Sequence, residues 1–334
     1  MADIHIYRID HHGSLVRPGG LEDDVDAAID DVLFMQRKLR VTQLTDGHFR
    51  RRDFRAPILE GLGGFERTGG RDDDGFESWA STGEVGPGGS ILAAEADFLD
   101  PQYAEWARKV SLPSPAYLAS RTWQEGGPYA SPVDLGHAIA ASLRDEVAAL
   151  LAAGVKYVQL DNPNYADHYA GDASRIGGIG VLDAIAIDGA VLEGIERPEG
   201  AKVGICVDWG QHPVDEADEQ VAWAVFGELP YDRFLIPFFA QPFVDQQLLQ
   251  FVPEGTAVAL GIVDATTPEL EDIDEIMSRI DAAFELKSDE EVAVAPSRGF
   301  QDAAYLPAPL TIEEQKRKIT HVETIARMTW GNEL

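Results

Sequence analysis

The sequence predicts an α/β fold, a (β/α)8 TIM-type barrel, and three observations carry that expectation. Short apolar or β-rich runs recur through the chain, segments of helical periodicity separate them, and nearly every run ends in polar residues. An open, doubly wound sheet is the rival, but no Gly-x-Gly-x-x-Gly follows any strand-like run.

The strand-like runs fall at residues 4–9 (IHIYRI), 41–47 (VTQLTDG), 108–115 (RKVSLPSP) and 155–161 (VKYVQLD). Four more follow at 201–208 (AKVGICVD), 233–239 (RFLIPFF), 256–264 (TAVALGIVD) and 291–297 (EVAVAPS). Helical segments at 23–39, 132–154, 215–229 and 268–286 lead into later runs, and 311–330 closes the series. The helix from 132 has Ser131 at its cap, Pro132 at its first position and Gly154 at its end. In the helix before the eighth run, Ile273, Ile276 and Ile280 share one face. Residues 69–98 do not fit the repeat and read as an inserted loop plus a β-hairpin between the second and third units. With no linker in sight, residues 1–334 are expected to form one domain.

Composition excludes several functions. The chain carries 58 acidic against 27 basic residues, a formal charge of −31, which argues against nucleic acid and anionic membranes as partners. A solvated acidic surface accounts for that charge. Cys206 is the only cysteine, so neither an intrachain disulfide nor a multi-cysteine zinc site can form. The first residues, MADIHIYRID, lack the basic start and apolar stretch of a signal peptide, and no apolar run approaches the roughly 20 residues that span a bilayer. A cytoplasmic protein acting on a small molecule is the expectation, with a symmetric homodimer as the default assembly.

In a barrel of this kind the site forms where strands end and βα loops begin. Five of the eight histidines, His11, His12, His48, His168 and His212, fall at such ends. His12 and His48 end neighbouring strands and could supply an acid or base near neutral pH, whereas the bland alternative is two hydrogen-bonded loop histidines. His11, one residue from His12 on an extended segment, should face the other way. Asp46 reads as a rim hydrogen-bonder. Trp123, Tyr165, Trp209, Phe238 and Phe239 could wall a pocket, though rim aromatics are as often packing. The arginines of RRRDFR (50–55) are expected in local ion pairs.

Four stretches carry a family resemblance. RIDHHGSLVRP is similar to the D-H-x-G-S-L-x-R-P signature of the cobalamin-independent methionine synthase catalytic-domain family, within the uroporphyrinogen decarboxylase/methionine synthase-like barrels. TDGHFRR resembles its T-D-G-E-x-R-R, YVQLDNP its I-Q-I-D-E-P, and APSRGF with the helix that follows its N-P-x-C-G-F segment. The resemblance spans nearly the whole chain and implies the same barrel. It also implies a zinc held by a His-x-Cys pair, a Glu and a late Cys, which activates a substrate thiol. Here those positions read Gly204-Ile205-Cys206, a carboxylate-free FLIPFFAQ, and Arg298. One ligand of four makes no tetrahedral site, and an arginine would repel the cation.

The substrate positions change as well. The ammonium-binding glutamate of T-D-G-E corresponds to His48, and in the D-E-P motif Asp161 stays while Asn162 replaces the glutamate. Coordinated change with a retained scaffold implies a repurposed site. The expected enzyme is therefore a lyase or transferase cleaving or transferring at a carbon–heteroatom bond of a small anionic substrate by metal-free acid–base chemistry. His12, His48 and Asp161 would be catalytic; Ser14, Arg17, Asn162, Tyr165, Trp209 and Arg298 would bind substrate. Arg298 would grip an anion bidentately, or else form an internal ion pair with Asp161 or Asp208. Two alternatives stay open: methyl or alkyl transfer to a thiol, with methyl-tetrahydrofolate and a relocated zinc drawn from Cys206, Asp208 and His212 together with His12 or His48, and a non-catalytic ligand-binding barrel. Cys206 could equally be a small buried hydrophobe.

Overall fold

The structure, a computed structural model, describes residues 7–98, 106–208, 218–238 and 247–331. Seven parallel strands make one curled sheet: β1 (Gln43–Leu44), β4 (Ala107–Pro113), β5 (Tyr157–Asp161), β6 (Lys202–Cys206), β7 (Arg233–Pro237), β8 (Ala257–Val263) and β9 (Val292–Pro296), in that spatial order. Each overlaps one of the runs read from the sequence. Residues 8–10 occupy the gap between the two edges. Ile9 bridges Val294 in parallel, Asp10 N donates to Val294 O at 2.8 Å, and on the other side Gln43 Nε2 donates to Ile9 O at 2.6 Å.

Helices cover the outside: α1 (Val25–Lys38), α2 (Ala56–Leu62), α3 (Ala93–Phe98), α4 (Pro115–Thr122), α5 (Pro132–Ala152), α6 (Asn164–Tyr169), α7 (Val181–Ala190), α8 (Glu219–Glu228), α9 (Ile273–Phe284) and α10 (Ile312–Trp330). Their starts follow local chemistry. Ser131 accepts from Asp134 N with Pro132 at the first turn, and Thr311 forms a reciprocal capping box with Glu314. On α9, Ile276 and Ile280 are buried and Ile273 half-buried, which keeps the predicted face. No helix among the described residues is long and apolar enough to cross a membrane.

Strand alternation creates two separate cores. Leu112, Leu160, Ile205, Phe234, Val258 and Val292 are register neighbours that face the helices and join the large outer core. The next row, Asp161, Cys206, Leu235, Ala259 and Ala293, faces the barrel interior. Cys206, Leu235, Ala259, Ala293 and Ala295 belong to a second, smaller cluster closed by Phe54, Phe76 and Tyr117. Small side chains thus line one half of the interior, packed against bulky rim aromatics.

An antiparallel hairpin, β2 (Phe65–Arg71) with β3 (Glu77–Ser81), lies between β1 and β4. It begins four residues before the irregular stretch read from the sequence. Its tip folds over the mouth, where Asp74 accepts from Tyr117 OH and Arg121 Nε, both at 2.8 Å, and from Arg175 at 2.5 Å. Asp72 pairs with Arg55, and Phe76 stands edge-on to Phe54 at 5.3 Å. The 50–55 arginines are indeed in ion pairs: Arg51 with buried Glu95 at 2.6 Å, Arg52 with Glu77, and Arg50 with Asp26.

Candidate active site

Three chemically active side chains meet inside the barrel. One donor atom each of His12, Asp161 and Cys206 lies within 4.8 Å of the other two, and all three residues are buried. Asp161 and Cys206 end β5 and β6 as register partners, so the sheet itself sets them side by side. His12 follows the 8–10 segment, four strands round the circuit from β6. It therefore reaches the pair from across the interior.

The surroundings orient but do not saturate this group. Gln159 Nε2 donates to Asp161 Oδ1 at 2.7 Å, and Cys206 Sγ donates to Asp208 O at 3.1 Å. His12 Nδ1 and Gln159 Oε1 are buried with no hydrogen-bond partner among the described residues. Burial pushes the Asp161 carboxyl up to about 7, against the Gln159 hydrogen bond and the Lys109 charge. Burial, with Lys109 adding to it, holds the His12 imidazole down to about 3. Burial also raises the Cys206 thiol, and the Asp161 charge adds to that. Near neutral pH the group thus presents a neutral imidazole, a thiol and a carboxyl close to its titration point.

Deeper in the barrel lies a second polar layer of opposite character. Lys109 Nζ meets Asp10 Oδ1 at 2.5 Å, Arg233 meets Asp10 Oδ2 at 2.9 Å, and Tyr157 OH donates to the same oxygen at 3.0 Å. Burial opposes its charge, but the Lys109 and Arg233 cations outweigh that and drive the Asp10 carboxyl far below its ordinary range.

The other sequence candidates fall into place individually. His48 is buried, its Nε2 within 2.9 Å of Ser111 Oγ and its backbone at φ +58°. Burial, then the Arg51 charge, holds its imidazole well below the usual range. The ring lies against Gly13, where a Cβ would come within 2.6 Å of Nε2, so only glycine fits that φ +115° turn. His48 is not one of the three clustered residues. His11 turns away, its Nε2 at 3.1 Å from Gln43 O. Ser14 Oγ donates to Asp302 at 2.6 Å, and Arg17 donates to the carbonyls of Gln301, His48 and Arg51 at 2.9–3.0 Å.

Several expectations need correcting. Arg298 pairs with Asp302 at 2.6 Å, not with Asp161 or Asp208, so its guanidinium already grips a carboxylate of its own chain. Asn162 and Tyr165 do not wall the interior. Asn162 Nδ2 and Tyr165 OH both donate to Asp188 Oδ2, at 2.7 and 3.0 Å, beside α7. Asp208 receives Tyr169 OH at 3.1 Å and is not grouped with Cys206 as a possible ligand; Trp209, His212 and Phe239 lie outside the described residues. Trp123 donates to Tyr129 O at 3.0 Å and Phe238 joins the outer core, whereas Phe54, Phe76 and Tyr117 cap the interior. The implied zinc tetrad does not fit either. At Gly204 a Cβ would lie 2.8 Å from Tyr157 OH, so the space of the missing histidine is filled.

Sequence reasoning missed Asp302, Gln159, Ser111 and the Asp10–Lys109–Arg233 layer. A signal existed for the last: a lysine and an arginine inside otherwise apolar strands face inward by alternation and demand a buried anion.

Comparison with known proteins follows this geometry. No family model matches the chain. Two uncharacterized Bacillus subtilis proteins are similar: YxjH, 23% identical over 97% of this chain and 95% of its own, and YxjG, 24% identical over 88% and 82%. Among solved structures, a putative vitamin-B12-independent methionine synthase from Listeria monocytogenes superposes with TM-score 0.77 at 22% identity, covering 98% of both chains. A B12-independent methionine synthase from Shewanella, in complex with selenomethionine, gives 0.76 at 19% identity over 97% of each. A methyltransferase from Methanosarcina mazei gives 0.52 at 10% identity over 94% of this chain and 88% of its own. What these structures have in common with the chain is the fold, and that fold is the barrel of B12-independent methionine synthases.

Proposed function

We propose that the chain is a closed (β/α)8-barrel transferase that moves a methyl or other alkyl group to or from a small molecule at the mouth of the barrel. His12, Asp161 and Cys206 form its reacting centre. One observation carries this reading: two register partners on neighbouring strands, Asp161 and Cys206, meet His12 from the opposite side, incompletely paired, beside Leu235 and a set of alanines. The fold shared with methionine synthase structures supports the reaction class, and the alanine-lined half gives an apolar alkyl group its place. In this reading Cys206 or a substrate thiol is the nucleophilic partner, Asp161 moves the proton, and neutral His12 accepts a hydrogen bond.

The test is product formation from 5-methyl-tetrahydrofolate, or a simple S-alkyl donor, with a panel of small thiols, followed by mass spectrometry. Wild-type turnover should fall on the order of 100-fold or more in Cys206→Ala, His12→Ala and Asp161→Asn, all still folded. Full activity in all three variants would remove the centre from the mechanism.

A second reading has one specific observation in its favour. An Asp161 carboxyl poised at about 7 suits metal-free acid–base cleavage at a carbon–heteroatom bond. It calls for turnover that survives Cys206→Ala and fails in Asp161→Asn.

A further inference from the structure

We infer that His12, Asp161 and Cys206 hold a divalent transition-metal ion, with one coordination position left open to a small-molecule ligand. This inference rests on reading the three residues as the reacting centre. It uses a donor set other than the one implied by the sequence resemblance, sharing only Cys206 with it.

The donors are an imidazole nitrogen from the segment after residues 8–10, and a carboxylate oxygen and a sulfur from the ends of β5 and β6, mutually within 4.8 Å. Around a tetrahedral zinc, with bonds of about 2.0 Å to nitrogen or oxygen and about 2.3 Å to sulfur, donors stand roughly 3.3–3.8 Å apart. Rotations within the present side-chain positions, on the order of an ångström, would close that difference. Three protein ligands and an open fourth place are the pattern of reactive zinc sites, whereas structural sites close all four. Imidazole with thiolate selects zinc, cobalt or copper over magnesium and calcium.

A second observation points to a ligand. His12 is 6% exposed, yet its Nδ1 has no hydrogen-bond partner among the described residues, and unlike the equally unpartnered Nδ1 of His48 it belongs to a residue grouped with two other donors. Gln159 supplies the outer support that a metal-bound carboxylate needs, holding Asp161 Oδ1 at 2.7 Å and leaving Oδ2 to the centre. The objection that an arginine would expel a cation is answered locally. Arg298 is engaged with Asp302, and Lys109 and Arg233 are engaged with Asp10. On binding, Cys206 gives up its thiol proton and Sγ exchanges its contact with Asp208 O for the metal; the sulfur is neither oxidised nor reduced. The open position then faces the alanine-lined half of the interior and suits a thiol or small carboxylate ligand.

The experiment uses the full chain, untagged, stripped with chelator and reloaded with zinc or with Co(II) under anaerobic, reducing conditions. Elemental analysis after desalting should give about one metal per chain, and Co(II) loading should produce a thiolate-to-metal charge-transfer band. Affinity should drop at least about tenfold in Cys206→Ala and His12→Ala, while Arg298→Lys retains the metal. Circular dichroism confirms folding, and Cys206→Ser serves should Cys206→Ala fail to fold. Less than about one-tenth of a metal per chain after reloading, or equal loading in all variants, overturns the site. Should metal be absent while His12→Ala and Asp161→Asn still abolish turnover, the metal falls and the reacting-centre reading stands. Bound metal with turnover indifferent to all three residues keeps the site and removes the reading.

Discussion

The barrel interior holds two polar clusters, and they differ in how completely they are paired. In the deep layer one carboxylate, Asp10, meets Lys109, Arg233 and Tyr157 within 3.0 Å, and every partner is fixed by a strand. Nearer the strand ends, His12, Asp161 and Cys206 meet each other with, among the described residues, one outside side-chain support, Gln159, and a buried ring nitrogen without a partner. Both are equally buried, so burial alone does not separate scaffold from site. Saturation does. A saturated cluster spends its charge holding strands together, and an unsaturated one whose donors also converge is the kind that the proposed reading assigns to a ligand. The layers also interact, because the Lys109 charge helps keep His12 neutral.

The sharpest way to break the comparison is to remove Asp10. Asp10→Ala strands two buried cations and should cost about 3–5 kcal/mol in urea unfolding, whereas Cys206→Ala should cost about 1 kcal/mol. Equal costs would erase the distinction between the layers.

The pH dependence comes next. Asp161 has a folded value of about 7, above its ordinary 3.8, so the folded chain binds the proton more tightly. Its contribution is present below pH 4 and is lost as pH rises toward 7, by a few kcal/mol at most. His12, held down to about 3, acts oppositely: its contribution is present above 6.5 and is lost as pH falls toward 3. The two windows overlap with opposite signs and offset each other between about pH 4 and 6.5, so Asp161→Asn should leave stability rising with pH across that range and His12→Asn should leave it falling. A profile unchanged in both variants would mean that neither group is desolvated.

Smaller effects refine the picture. Arg298→Ala breaks a half-buried pair with Asp302 and should cost about 1 kcal/mol with KM nearly unchanged. A KM raised more than about tenfold without loss of stability would restore its role as an anion anchor. The smallest change expected is His48→Asn, within about 0.5 kcal/mol, because asparagine tolerates the left-handed backbone at φ +58° and can still meet Ser111. A β-branched replacement should cost more.

Much of the fold was legible because each strand ends where alternation stops and turn residues begin, and because Ser131-Pro132 is a complete helix start. The edges were less so. β1 has only two paired residues, and residues 8–10 join the sheet through one bridge and a glutamine side chain. The site was legible residue by residue but not in its grouping. Cys206 was matched with Asp208 and His212, near it in sequence, and with His12 or His48 beside them, while its register neighbour Asp161 is set by the sheet, which one sequence does not display. His12 was singled out as a strand-end group, but its reach across the interior depends on curvature. Arg298 and Asp302, four residues apart in a turn, could have been paired on distance alone.

The hairpin over the mouth has a kinetic consequence. One carboxylate, Asp74, secures the tip through Tyr117, Arg121 and Arg175, while Phe76 plugs the space above the alanines. Lifting the tip means parting Asp74 from all three partners and Asp72 from Arg55 at once. Because those pairs are almost wholly buried, added salt should screen them little, and the opening rate of the hairpin should follow temperature far more than ionic strength.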